Sequence, residues 1–196
     1  SIDIDKVGND IIEKVKLAGR VLPKKLKLIF AERVKDELSV QKKPTSINRV
    51  FAIASSTGGT QALSTIIPSL REDFPASVLV VQHMPEGFTK SLAERLNWQS
   101  KISVIEARDN LKITPATVII ARGGFHMKAV GKEACGKVVL SDEPPVMGLK
   151  PNADIMMESV AKIFKSKVVG IVLKGMGKDG TRGAEAIKMF AGSLIA

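Results

Sequence analysis

From Val50 onward, short apolar, β-branched runs at 50–54, 78–82, 102–105, 117–121 and 168–173 alternate with helical periodicities at 59–70, 87–98, 152–165 and 180–190. Runs that are apolar at successive positions belong to strands covered on both faces, and the intervening helices supply the cover. The chain therefore predicts an α/β fold built on a doubly wound, mostly parallel, Rossmann-like sheet. The rhythm breaks between 117 and 141, where runs at 117–121, 126–130 and 137–140 follow one another with glycine turns and no helix, predicting a β-hairpin insertion.

Upstream the pattern differs. Ile4, Val7, Ile11, Ile12 and Val15 lie on one face of an amphipathic helix within 3–20, and 22–48 carries Lys pairs and Pro23 and Pro44 around one short apolar patch. Residues 1–46 thus read as a linker with an amphipathic helix, and the compact domain as 47–196.

In an open α/β sheet, ligands bind beyond the carboxyl ends of the strands, so the residues that follow each run carry the functional signal. Ser56 follows the first run in Ala54-Ser55-Ser56-Thr57-Gly58-Gly59, a strand-to-helix turn of the form Ala-x-Ser-x-Gly. Such an elbow exposes a hydroxyl beside unpaired helix amides that can stabilise an oxyanion. A phosphate-binding or purely structural turn is the competing reading.

His83 follows the second run, and Asp179 follows the last, in Gly175-Met176-Gly177-Lys178-Asp179-Gly180. A serine hydroxyl becomes a nucleophile when an imidazole takes its proton, and a carboxylate on the other ring nitrogen fixes the tautomer. Each residue alone has a plain alternative, His83 as a core histidine and Asp179 as a helix N-cap. Their convergence on one sheet edge favours the joint reading, with the Met176 amide aimed at the oxyanion.

The same glycine-rich segment matches G-x-G-x-x-G, so a nucleotide-binding Rossmann module using 175–180 is the alternative, and a docking domain without catalysis is a third. The dinucleotide motif calls for an acidic residue about 20 positions further on, and the sequence ends at Ala196.

Composition narrows the classes. With 196 residues and 44% hydrophobic content, one principal core is expected. No run reaches the ~18 apolar residues of a membrane span, and Ser-Ile-Asp-Ile-Asp lacks the features of a signal peptide, so a soluble cytoplasmic protein without membrane insertion is expected. One cysteine, Cys135, and two histidines, His83 and His126, offer no disulfide and no clustered metal-ligand spacing, so no metal and no cofactor is expected. Cys135 reads as an ordinary thiol, His126 as lining the cleft at most, and Met156 and Met157 as core. The net charge of +10 is spread along the chain without a basic-aromatic stripe, which argues against nucleic acid; a basic surface would equally well steer the chain toward an acidic protein, and a solvated charged surface is the plain reading for most of these residues.

Five segments in order, Ser56-Thr57-Gly58-Gly59, Gln82-His83-Met84-Pro85-x-Gly87-Phe88-Thr89, Gly123-Gly124-x-His126-Met127, Pro144-Pro145-Val146 and Gly175-Met176-Gly177-x-Asp179-Gly180, together resemble the catalytic domain of the chemotaxis response-regulator methylesterase family, CheB. The resemblance covers roughly 47–196. It implies hydrolysis of glutamyl γ-methyl esters on methyl-accepting chemotaxis receptors, and deamidation of certain glutamines. It also implies Ser56 as nucleophile, His83 as base, Asp179 as the orienting carboxylate, the Met176 amide as oxyanion donor, and Thr57 and Gly58 at the cleft. Residues 1–45 resemble the family's interdomain linker, which follows a phosphorylatable receiver domain absent from this sequence, and family members continue beyond Ala196. The chain departs from the family at Lys174 and Lys178, where Thr and Asn are usual, and at 147–151, where Asn-x-His-Arg-Pro is usual.

Overall fold

The computed structural model describes residues 46–173 and 177–195. The amphipathic helix expected within 3–20 and nearly all of the linker lie outside the described residues. Along the described chain come β1 (Arg49–Ser55), α1 (Gly59–Ile66), β2 (Ala76–Gln82), α2 (Phe88–Gln99), β3 (Ser103–Glu106), β4 (Leu111–Lys112), β5 (Thr117–Ile120), β6 (His126–Val130), β7 (Lys137–Ser141), α3 (Ala153–Phe164), β8 (Val168–Val172), α4 (Thr181–Met189) and β9 (Ser193–Ile195). Short 3₁₀ turns follow α1 and α3 and precede β7.

Six strands form one sheet in the order β3-β5-β2-β1-β8-β9, and every neighbouring pair is parallel. Its centre is apolar on both faces, as the unbroken runs require. Val50, Ala52, Ala54, Leu79 and Val81 pack with Met156, Met157, Val160 and Ile187 of α3 and α4. The alternate residues Ile53, Val78 and Val80 pack with Leu63 of α1 and Leu92 and Leu96 of α2. Helices thus cover both faces, and both methionines serve the core as expected.

The hairpin insertion is present with a later start. The run at 117–121 is a strand of the main sheet, between β2 and β3, whereas β6 and β7 pair antiparallel, His126 opposite Ser141, in a second small sheet ordered β4-β7-β6. Two strands are additions to the sequence reading. The two-residue β4 is too short for a period to register, and β9 pairs in parallel with β8 through Ser193–Ile195.

The topology fixes where a ligand would sit. From β1 the chain passes through α1 to β2 on one side, and from β8 through α4 to β9 on the other. β1 and β8 are neighbours, so the connections leaving their carboxyl ends diverge and open a crevice between them. No described helix is long and apolar enough to cross a membrane.

Candidate active site

Ser56 is the first residue beyond β1, half-buried, and α1 begins three residues later behind Gly58, whose φ of 78° puts it in the left-handed region that glycine enters without strain. Gly59 has a different reason to be glycine: a Cβ there would run into Ser55 Oγ and come within 2.6 Å of Gln82 Oε1. Behind the elbow, Ser55 Oγ donates to Gln82 Oε1 at 2.7 Å, and Gln82 Nε2 donates to the Ser56 carbonyl at 3.0 Å. The first turn of α1 therefore rests directly on a buried polar pair, which fixes the path of the backbone through Ser56.

His83 enters the site because the β1–β2 ladder continues one step past the strands: its backbone N–H donates to the Ser55 carbonyl at 3.0 Å. On the other side, the Leu173 N–H donates to the Ala54 carbonyl at 2.9 Å, which starts the loop to Asp179 from the same edge. The two side chains meet. His83 Nε2–H donates to Asp179 Oδ2 at 2.8 Å, with the imidazole 14% and the carboxylate 1% exposed. Because Nε2 faces the carboxylate, Nδ1 is the nitrogen left to accept a proton.

The Asp179 carboxylate is held by more than the imidazole. Oδ2 also accepts from the Ala153 N–H at 2.7 Å and Oδ1 from the Asp154 N–H at 2.9 Å, so it sits on the N-terminus of α3. Burial alone would push this carboxyl up, but the hydrogen bonds from His83 and the two amides outweigh it and hold the group below its ordinary value. The N-cap alternative is half right: Asp179 caps a helix, but the one 26 residues upstream. Its own helix, α4, follows the N-cap Gly180, which has no side chain to cap it.

The structure thus brings His83 and Asp179 into contact and places Ser56 on the same sheet edge. Ser56 Oγ has no hydrogen bond among the described residues. Catalytic hydrogen bonds in ligand-free enzymes are often long and tighten on the substrate. Thr57 and Gly58 are exposed at the rim of the elbow. Lys174, Gly175 and Met176, with the Met176 amide, lie outside the described residues.

His126 does not line the cleft. It is fully buried at the start of β6 and donates from Nε2 to the Pro144 carbonyl at 3.1 Å. Cys135 is exposed in a 3₁₀ turn. Of the segments that depart from the family, Lys178 is exposed. Met147 and Gly148, with φ of 52° and 75°, form a tight turn closed by paired hydrogen bonds between Val146 and Leu149.

Three contributors escaped the sequence reading. Gln82 had a signal, a polar residue ending an otherwise apolar strand. Asn152, fully buried, caps α3 by accepting from the Ile155 N–H at 3.1 Å, in a recognisable cap position before an apolar run. Asp154 had none, since its partners are in α4.

A doubly wound parallel α/β domain, with an elbow serine and a part-buried His–Asp pair at the switch point of its sheet, defines the class. The chain belongs to the CheB methylesterase family, whose model matches residues 51–196. It is 40% identical over 198 residues to a protein-glutamate methylesterase/protein-glutamine glutaminase of Thermotoga maritima, and 39% identical over 196 residues to one of Archaeoglobus fulgidus. Each alignment spans 100% of this chain and 56% of the relative, so the chain covers little more than half of their length. The crystal structure of the Thermotoga maritima CheB methylesterase catalytic domain superposes with a TM-score of 0.74 at 42% identity, covering 76% of this chain and 79% of that one. The likeness to that domain extends through both sheets of the fold.

Proposed function

We propose that the domain is a cytoplasmic serine esterase that demethylates glutamyl γ-methyl esters, and deamidates glutamines, on methyl-accepting chemotaxis receptors. The observation that carries the reading is the 2.8 Å bond from His83 Nε2–H to a carboxylate seated on a helix N-terminus, at the sheet edge where Ser56 follows its strand. Ser56 Oγ attacks the ester carbonyl carbon while His83 Nδ1 takes the hydroxyl proton. Asp179, kept ionised by the α3 amides, stabilises the imidazolium. The tetrahedral oxyanion accepts from the Thr57 N–H, the residue after the nucleophile, and, by family resemblance, from the Met176 N–H. Collapse expels methoxide, which takes the proton from His83 and leaves as methanol. Water then attacks the glutamyl–serine ester by the same route, releasing glutamate and restoring Ser56. With a glutamine substrate the first leaving group is ammonia.

Curated relatives with this assignment are longer than this chain, and the family resemblance places a receiver domain before the linker, so that domain is the proposed regulatory partner. A nucleotide reading of 175–180 is disfavoured on electrostatic grounds: Asp179 puts a carboxylate in the segment where a phosphate would need amides and positive charge. The test is release of volatile methanol from methyl-labelled receptor membranes, run beside a nucleotide titration. Methanol without nucleotide binding supports the esterase, and the reverse result overturns it.

A further inference from the structure

Two aspartates at this site cap each other's helices. Asp179, which precedes α4, accepts from the amides of Ala153 and Asp154 at the start of α3. Asp154, in the first turn of α3, accepts at Oδ1 from the amides of Gly180 and Gly183 at the start of α4, at 2.9 and 2.8 Å. Both carboxylates are 1% exposed. The result is a closed ring: the Asp154 N–H reaches the Asp179 carboxylate, and the Gly180 N–H, one peptide away from Asp179, reaches back to the Asp154 carboxylate.

We infer that Asp154 is a positioning residue for the carboxylate of Asp179, a role that rests on the proposed reading of Asp179 as the partner of His83. The physical reason is that, among the described residues, every hydrogen bond to the Asp179 carboxylate comes from a distant segment and none from the residues flanking it. Gly180, with φ of 100°, supplies no side chain of its own at the α4 N-cap. Asp154 supplies that cap from another helix, and in doing so fixes the peptide that joins Gly180 to Asp179. The helices are tightly apposed there: a Cβ on Gly183 would come within 2.5 Å of Met157 Cβ and 3.3 Å of Asp154 Cα.

Two further observations separate this role from ordinary salt bridging and ordinary capping. Arg182 reaches Asp154 Oδ2 only at 3.4 Å and is 60% exposed, so the buried carboxylate is held by amides far more than by the guanidinium. Asp179 Oδ2 is shared between the Ala153 N–H at 2.7 Å and His83 Nε2–H at 2.8 Å, so a small displacement of Asp179 disturbs the imidazole bond along with the amide bond. Misplacement of a catalytic group by about 1 Å can cost on the order of 10²-fold in rate.

The test compares Asp154→Ala with Asp154→Asn, which keeps an acceptor oxygen for the two α4 amides. Each is assayed for methanol release from receptor membranes, and its His83 Nε2–H proton resonance is recorded by NMR on the same folded sample. For Asp154→Ala the expected result is kcat lower by about 10- to 100-fold with KM within about twofold, and a Nε2–H signal shifted upfield or lost to exchange. Asp154→Asn should restore the signal and most of kcat. A folded Asp154→Ala protein with an unchanged His83 signal and unchanged kcat overturns the inference, as does an equal loss in both variants. Should Asp154→Ala fail to fold, Asp154→Ser, whose hydroxyl reaches fewer amides, decides by the same two readouts. The resonance needs no turnover, so failure of the esterase reading would show as no methanol release by the unsubstituted protein, while the His83 signal still reports on Asp154.

Discussion

Gln82 holds Ser56 by its carbonyl: the side-chain amide donates to the Ser56 oxygen at 3.0 Å while its own oxygen accepts from Ser55 Oγ at 2.7 Å. The elbow is thereby tied to the neighbouring strand through one buried side chain. Gln82 also offers Nε2 to the His83 carbonyl at 3.4 Å, so a single residue touches the backbone of both proposed reactants.

Gln82→Leu should destabilise the domain by about 1–3 kcal/mol, because Ser55 Oγ and the Ser56 carbonyl lose their partners in a buried setting. Turnover should fall as well, since the backbone at Ser56 loses its tether. Denaturant melts and methanol release on one preparation check both effects. A stable variant with full activity would remove Gln82 from the architecture of the elbow.

Ser56→Ala is expected to leave the fold intact and lower turnover by about 10⁴-fold or more. His83→Ala should do the same, and the double variant should be little worse than either single one, since residues that act as a unit are not additive. Losses that multiply would show that the two act separately.

Asp179→Asn should lower turnover by roughly 10²- to 10⁴-fold by favouring the wrong imidazole tautomer. It carries a stability signature too. Burial opposes ionisation of Asp179, yet the hydrogen bonds from His83, Ala153 and Asp154 bring its value below the ordinary 3.8. A carboxyl lowered in the folded state adds stability at pH above its unfolded value, and that contribution disappears as pH falls through the folded one. The stability gap between wild type and Asp179→Asn should therefore be widest near about pH 6 and shrink toward about pH 3. Urea titrations across that range measure it, and a gap independent of pH would contradict an ionised, hydrogen-bonded Asp179.

The chain's net charge of +10 should steer it toward acidic receptor segments. Raising salt from about 0.05 to 0.5 M shortens the Debye length to roughly 4 Å, so the apparent second-order rate on receptor membranes should drop more than that on a small neutral ester. Lys178, exposed beside Asp179, is the candidate contributor, and Lys178→Asn should reduce the difference. Equal salt sensitivity for both substrates would leave the charge without a steering role.

Most of the sheet was legible in the sequence because its central strands carry apolar residues at successive positions, a pattern that comes from burial and needs no knowledge of neighbours. The placing of Ser56, His83 and Asp179 on one edge was legible for a related reason: each follows such a run, and parallel strands deliver their ends to one edge. The rest depended on contacts between distant segments. Leu111–Lys112 is a strand only because Val138 and Lys137 lie beside it. Asp179 looked like the cap of the helix after it, and only the packing of α3 against α4 reveals that the caps are exchanged. Asp154 sits in the first turn of an amphipathic helix, where an acidic residue is ordinary, and nothing in its own surroundings points to Gly180 or Gly183.

The exchange of caps also sets an order of events. His83 and Asp179 are 96 positions apart, and β1 finds its central neighbour β8 only after 168–172 has been made. Contacts of such separation form late, because the loop they close must be ordered before they repay its entropy. A chain emerging from the ribosome therefore holds Ser56 and His83 long before it holds a partner for the imidazole. On the proposed reading of the site, turnover therefore waits on the pairing of His83 with Asp179, which forms only once 168–179 has been made.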